Sequence, residues 1–170
     1  MILLTSGTTD VPRRVPVTHG NVLATCSARV RARRLTPHDR GLSTAPPYFV
    51  LGLARVIESL ISGGSAIVAS ASEIVRQPEA ISALAPTWAW ISPALLETLL
   101  EEARTNPTYR AWPLRFVRSG GAQVTPDLIA RAQALWDVPV LNGYGTTETL
   151  GYIAAEESPE TIPRKSGRSA

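Results

Sequence analysis

Residues 87–100 read TWAWISPALLETLL and encode a strand followed directly by a helix. The first five residues form a short apolar run that is typical of a strand. Ser92 can cap a helix whose first residue is Pro93, and the leucines that follow recur at helical spacing. The stretch therefore predicts a strand that ends where a helix begins.

The same alternation repeats on both sides of this stretch. A strand over 1–5 leads into a loop, and Thr18 can cap a helix with Val22, Leu23, Cys26 and Val30 on one side. Further strands are predicted at 42–45, 66–69 (as a buried strand), 114–118 and 138–141, and further helices at 49–62, 78–84 and 125–136. Repeated units of this length favour an α/β fold with a mostly parallel sheet flanked by helices.

Length and composition restrict the class of protein. The chain has 170 residues, of which 44% are hydrophobic, enough for one domain with its own core. Cys26 is the single cysteine, which excludes an internal disulfide framework or a multi-cysteine zinc site. No apolar run approaches the ~20 residues of a transmembrane segment. We therefore expect a cytoplasmic protein.

The positive charge of the chain comes almost entirely from arginine side chains. The formal net charge is +3, and Arg29, Arg31, Arg33 and Arg34 form a local cluster. A solvated helix face explains this cluster better than an anion-binding patch does. Because the cluster has no interleaved aromatic residues, we expect no nucleic-acid partner.

A loop rich in hydroxyl groups follows the first apolar run. Its hydroxyls surround Gly7 and can donate to phosphate oxygens, and Arg13 can add a charge-assisted contact. These hydroxyls belong to Thr5, Ser6, Thr8 and Thr9. The loop lacks the second glycine and the lysine of a Walker P-loop. A simple Ser/Thr turn leading to Pro12 accounts for the same residues equally well.

A second loop, 142–149, reads NGYGTTET and follows the strand predicted at 138–141. Glu148 offers the carboxylate oxygen that a hard divalent cation prefers when it bridges phosphates. An irregular glycine-rich loop with a solvated Glu148 is the alternative.

Taken in order along the chain, these segments resemble the adenylate-forming (AMP-binding) superfamily. That superfamily includes acyl- and aryl-CoA synthetases, the adenylation domains of nonribosomal peptide synthetases, and luciferases. The matching segments are 5–15, 18–21, 45–53, 63–68, 87–100, 114–123 and 142–149. Their order, more than any single motif, makes the resemblance specific.

The resemblance assigns roles to individual residues. Thr147 and Glu148 become catalytic, with Glu148 also holding Mg²⁺, and Phe49 and Gly120 bound the pocket for the acid. Phe49 stands where many members carry a histidine, and Tyr144 is expected to stack on adenine. The residues expected to bind ATP are Thr5, Ser6, Gly7, Thr8, Thr9, Arg13, Gly121, Ala122, Gln123, Asn142, Gly143, Tyr144, Gly145 and Thr146.

The resemblance also implies a reaction, in which ATP activates a small-molecule carboxylic acid. A carboxylate oxygen attacks the α-phosphorus, pyrophosphate leaves, and the acyl-adenylate passes to a thiol. The implied cofactors are ATP and Mg²⁺, and the implied acceptor is CoA or the phosphopantetheine of an acyl carrier protein.

The sequence departs from the family pattern in the first loop and in extent. Asp10 and Arg14 stand where the family has glycines, so glycine at both positions is expected to strengthen ATP binding. Arg13 replaces a lysine. Residues 1–170 match a central part of the family's large N-terminal domain, without its upstream part or the C-terminal lid domain and its lysine. The sequence therefore predicts a partial domain that is inactive alone, at most a nucleotide-binding or structural remnant.

Overall fold

The computed structural model describes residues 1–5 and 13–155. Its strands, in chain order, are β1 (Ile2–Thr5), β2 (Arg13–Pro16), β3 (Arg40–Ser43), β4 (Ser65–Val68), β5 (Trp88–Trp90), β6 (Phe116–Gly120), β7 (Val140–Tyr144) and β8 (Ala154–Ala155). Six of them form one sheet in the order β4-β3-β5-β6-β7-β8. All neighbours in this sheet are parallel except the last pair.

Helices connect these strands. They are α1 (His19–Ala32), α2 (Val50–Ile61), α3 (Ala71–Arg76), α4 (Pro78–Ala83), α5 (Pro93–Glu102) and α6 (Pro126–Trp136), with short 3₁₀ turns at Pro107–Ala111 and Thr147–Thr149. The predicted α/β class with a mostly parallel sheet flanked by helices is confirmed.

Capping contacts confirm where the predicted helices α1, α5 and α6 start. The side chain of Thr18 accepts a hydrogen bond from the Asn21 N–H at 3.0 Å. Ser92 and Thr125 accept in the same way from the backbone N–H three residues later, and in both helices a proline follows the cap. These contacts satisfy backbone donors that a helix leaves free at its start.

The sequence reasoning missed one helix and one small sheet. Helix α3 begins at a capping box in which Ser70 and Glu73 bond each other's backbone N–H, a signal that the sequence does carry. Strands β1 and β2 pair antiparallel in a separate two-stranded sheet.

One predicted burial assignment is wrong. Val68, on the strand predicted to be buried, is exposed because β4 is an edge strand with a neighbour on one side only. Leu23, predicted on the same side of its helix as Val22, Cys26 and Val30, is 58% exposed. Helix α1 instead buries Val22, Cys26 and Arg29.

One face of the sheet carries the larger hydrophobic core. Leu42, Ala89, Val117 and Val140 from four adjacent strands pack there with the apolar faces of α3 to α6. The opposite face packs Trp88, Phe116 and Leu141 beneath the C-terminal half of α1. Both faces of the central strands are therefore covered, as a parallel sheet requires.

A charged cluster is buried between α1 and α2. Glu58 Oε1 lies 3.0 Å from Arg29 Nη1 and 2.8 Å from Arg55 Nη2, and Arg33 is also buried nearby, at 2% exposure. Burial lowers the pKa of Arg55 to about 10, so this side chain stays charged at neutral pH. The expected solvated arginine face is wrong for Arg29 and Arg33, because α2 places a carboxylate against that side of α1.

The same cluster reaches the end of the sheet. Arg29 Nη2 donates to the carbonyl oxygen of Leu150. The guanidinium carbons of Arg29 and Arg33 lie 5.1 and 5.8 Å from the centre of the Tyr152 ring, within the range of a cation–π contact. The segment after Thr147–Thr149 is therefore held by arginines of α1.

We predict that Glu58→Gln lowers the free energy of unfolding by about 3–5 kcal/mol, because it leaves buried arginines without their carboxylate. Urea denaturation followed by circular dichroism measures this. The matched control is Glu101→Gln, since Glu101 pairs with Arg104 at an exposed position and should cost less than about 1 kcal/mol. Equal effects of the two variants would contradict a structural role for the buried cluster.

Candidate functional site

A cleft of about 540 Å³ lies where the carboxyl ends of β6 and β7 meet the start of α2 and the small β1–β2 sheet. This is the edge of an open α/β sheet at which ligands generally bind. Residues predicted from four separate segments of the sequence line it. They are Thr5, Arg13, Phe49, Gly120, Gly121, Gly143, Gly145, Thr146, Thr147 and Glu148.

Other predicted residues do not line this cleft. Ala122 and Gln123 lie in the exposed turn after β6, Asn142 lies within β7, and the Tyr144 side chain is 66% exposed. Ser6, Gly7, Thr8 and Thr9 lie outside the described residues, as does Asp10.

The glycine-containing segments around Gly120 and Gly143 both begin inside a strand, β6 for the first and β7 for the second. Gly120 pairs with Gly143 across β6 and β7, so the turn after β6 starts only at Gly121. Gly121 has a φ of +82°, a backbone conformation open to glycine at little cost. The strands extend further than predicted because glycine keeps its backbone hydrogen-bonding groups even though it has no side chain.

The predicted backbone penalty at Arg14 is wrong. Arg14 lies in β2 opposite Leu4, in the extended conformation that any residue adopts. Glycine at this position would therefore relieve no left-handed strain.

A single 3₁₀ turn presents Thr147 and Glu148 to the cleft. The Thr149 hydroxyl accepts from the Thr146 N–H at 3.0 Å, and Leu150 closes the turn with a φ of 54°. Because Arg29 binds the Leu150 carbonyl oxygen, the buried cluster anchors the turn.

The Glu148 carboxylate is exposed and its pKa is lowered. The first cause is a hydrogen bond with its own backbone, followed by one with the Thr146 side chain, and the positive charge of Arg13 also contributes. Arg13 on β2 and Glu148 after β7 both line the cleft. Among the described residues, the cleft presents one carboxylate, that of Glu148, and two guanidinium groups, those of Arg13 and Arg118, to a ligand.

The donor set around Glu148 fits a magnesium ion only in part. Within residues 1–5 and 13–155, no group of three or more His, Cys, Asp or Glu side chains is placed to hold a metal ion. A single carboxylate still suits Mg²⁺, which keeps several waters and takes its remaining ligands from substrate phosphates.

Within residues 1–5 and 13–155, none of the helices combines the length and apolar character needed to cross a bilayer.

Several residues of the cleft were missed by the sequence reasoning. The apolar part of the wall is formed by Leu4, Val50, Leu51 and Trp90, and the other missed lining residues are Arg118, Ser119 and Gly151. No signal in the sequence separates Arg118 from Arg115 within the predicted strand 114–118.

We predict that Arg13→Met raises the pKa of Glu148, because it removes a nearby positive charge. An NMR titration of the side-chain carboxyl carbon measures this. Arg14→Met, which changes the neighbouring residue of β2, is the control and should leave that pKa unchanged. Equal shifts in the two variants would mean that Arg13 has no specific position beside Glu148.

Comparison with known proteins gives consistent results. The model of the family described as AMP-binding enzyme matches residues 1–169. The chain is 33% identical to acyl-CoA synthetase FUM10 of Gibberella moniliformis, over 94% of the chain and 28% of that protein. It is 28% identical to an oxalate–CoA ligase of Arabidopsis thaliana, over 98% of the chain and 33% of that protein.

A solved structure shows the same relation. O-succinylbenzoate coenzyme A synthetase from Bacillus subtilis, in complex with AMP, superposes with a TM-score of 0.76 at 27% identity. The match covers 94% of this chain and 32% of that one. The chain thus spans about a third of the length of the proteins that it resembles.

Proposed function

This chain belongs to the family of AMP-binding enzymes, and on that premise we propose that its cleft binds ATP and a carboxylic acid for the formation of an acyl-adenylate. One observation carries the proposal. Arg13 from β2, Gly120 and Gly121 at the end of β6, and Thr147 and Glu148 after β7 line a single cleft. Segments far apart in sequence thereby supply a cation, a turn that ligand can approach closely, a hydroxyl and a carboxylate.

The residues of this chain have separate tasks in the proposed reaction. Arg13 binds phosphate oxygens through charge-assisted hydrogen bonds, and the Thr147 hydroxyl donates to the α-phosphate or to the acid carboxylate. Glu148 holds Mg²⁺, which when bound offsets the negative charge of the triphosphate. Positioning and electrostatic stabilisation of this kind supply much of the barrier reduction in such reactions.

The acid lies on the apolar side of the cleft. Phe49 and Leu51 at the start of α2 line this part of the cleft together with Trp90 on β5 and Gly120 on β6. Relatives named oxalate–CoA ligase and 2-succinylbenzoate–CoA ligase support coenzyme A as the acceptor, with a carrier-protein phosphopantetheine as the alternative thiol.

The chain provides a portion of the large domain in this proposal. It spans 28–33% of the length of the relatives compared above. We therefore assign nucleotide and acid binding to residues 1–170, and we assign full turnover to a longer polypeptide that also carries the lid-domain lysine.

ATP–pyrophosphate exchange with a panel of carboxylic acids tests the function. We expect exchange from a polypeptide extended at both ends to family length, and none from the 170 residues alone. In the extended protein, Glu148→Gln should reduce Mg²⁺-dependent exchange by about a hundredfold or more, a loss typical of one electrostatic catalytic group, because the amide keeps the shape but loses the charge.

The matched control is Glu101→Gln on the exposed surface of α5, which should keep the wild-type rate. An unchanged rate in Glu148→Gln would remove the metal role from Glu148. ATP binding without exchange under every condition would favour a non-catalytic nucleotide-binding domain instead.

A further inference from the structure

Arg118 on β6 is a buried arginine in the wall of the cleft. Its side chain belongs to the lining of the cleft, although the residue is only 4% exposed. Its Nε and Nη1 atoms are buried and have no hydrogen-bond partner in the part of the chain that the structure describes. The buried Arg29 and Arg55, in contrast, share the carboxylate of Glu58.

The neighbouring strands leave space for this guanidinium. Arg118 is in register with Trp90 on β5 and with Leu141 on β7. A Cβ atom added at Gly143 would lie 2.9 Å from Arg118 Nη2, so any other residue there would displace the guanidinium. Ser119, the next residue, adds a buried hydroxyl that likewise lacks a partner among the described residues.

An unpaired buried guanidinium costs free energy that a bound anion can recover. A planar guanidinium with parallel N–H groups is the side chain best matched to a carboxylate. The cleft offers Arg118 no obvious internal substitute, because Glu148 is the only carboxylate among the described residues that line it.

The position of Arg118 indicates which carboxylate it binds. Its backbone lies two residues before Gly120 on β6, and its Nη2 atom lies beside Gly143, one residue before the end of β7. The groups proposed to act on the phosphates, Thr147 and Glu148, lie beyond the carboxyl end of the adjacent strand. A carboxylate at Arg118 is therefore separated from the reacting end of the acid.

From this arrangement we propose that the acid substrate is a dicarboxylic acid and that Arg118 binds its distal carboxylate. The inference rests on the proposed function for the reacting end of the acid. The inference adds a specificity-determining residue and a substrate class to the proposed function.

The test compares acids matched in chain length, glutarate with pentanoate and adipate with hexanoate, in the exchange assay on the extended protein. For the better of the two dicarboxylates, we expect the kcat/KM of the wild type to exceed that for the monocarboxylate of the same length at least tenfold. This is the effect of about one charge-assisted hydrogen bond. Arg118→Met should abolish this preference, because it removes the charge-assisted hydrogen bonds to the second carboxylate. Arg118→Lys should retain part of the preference.

Calorimetric titration separates this inference from the proposed function. If no acid supports exchange, adipate should still bind the wild-type chain more tightly than hexanoate, and Arg118→Met should remove that difference. Arg104→Met, at an exposed position two residues after the end of α5, is the control and should keep the difference between adipate and hexanoate.

Two results would overturn the inference. One is equal binding and equal exchange of dicarboxylates and monocarboxylates by the wild type, a comparison that does not depend on any variant folding. The other is a loss of ATP affinity in Arg118→Met and Arg118→Lys with the acid preference intact, which would make Arg118 a phosphate ligand.

Discussion

The buried carboxylate of Glu58 is the contact on which the functional half of this structure depends. It accepts a hydrogen bond from Arg29 on α1 and forms an ion pair with Arg55 on α2, and ions removed from water in this way are stable only when their partners are accurately placed. The spacing of the two helices is thus fixed by charge as well as by apolar packing. Since Arg29 also binds the Leu150 carbonyl oxygen, the constraint extends to the turn that carries Glu148.

This constraint explains how short loops make a defined cleft. The start of α2 supplies Phe49 and Leu51 as one wall, and α2 is held by Glu58. The opposite side is supplied by β6 and β7, whose parallel alignment brings Gly120 and Gly143 side by side. Each functional segment is therefore attached to a rigid element within a few residues, which is the condition for a precise site.

Arginine has three different environments in this fold. Arg29 is buried and paired with a carboxylate, Arg13 is exposed beside Glu148, and Arg118 is buried without a partner among the described residues. The chemistry of the side chain is the same in each case. Its surroundings decide whether it is paired within the fold or lines the cleft.

The sequence by itself determined the order of strands and helices, because periodicity, proline and capping residues act over a few neighbours. Ser92 and Pro93 were enough to place the start of α5, and the motif order was enough to identify the family. Thr147, Glu148 and Arg13 were predicted as site residues from recognisable motifs, and they line one cleft. Tertiary structure alone decided that Arg29 and Arg33 are buried, that Leu23 is exposed and that Arg118 lines the cleft. Each of these depends on what a distant segment places opposite the side chain, and local spacing contains no information about that partner.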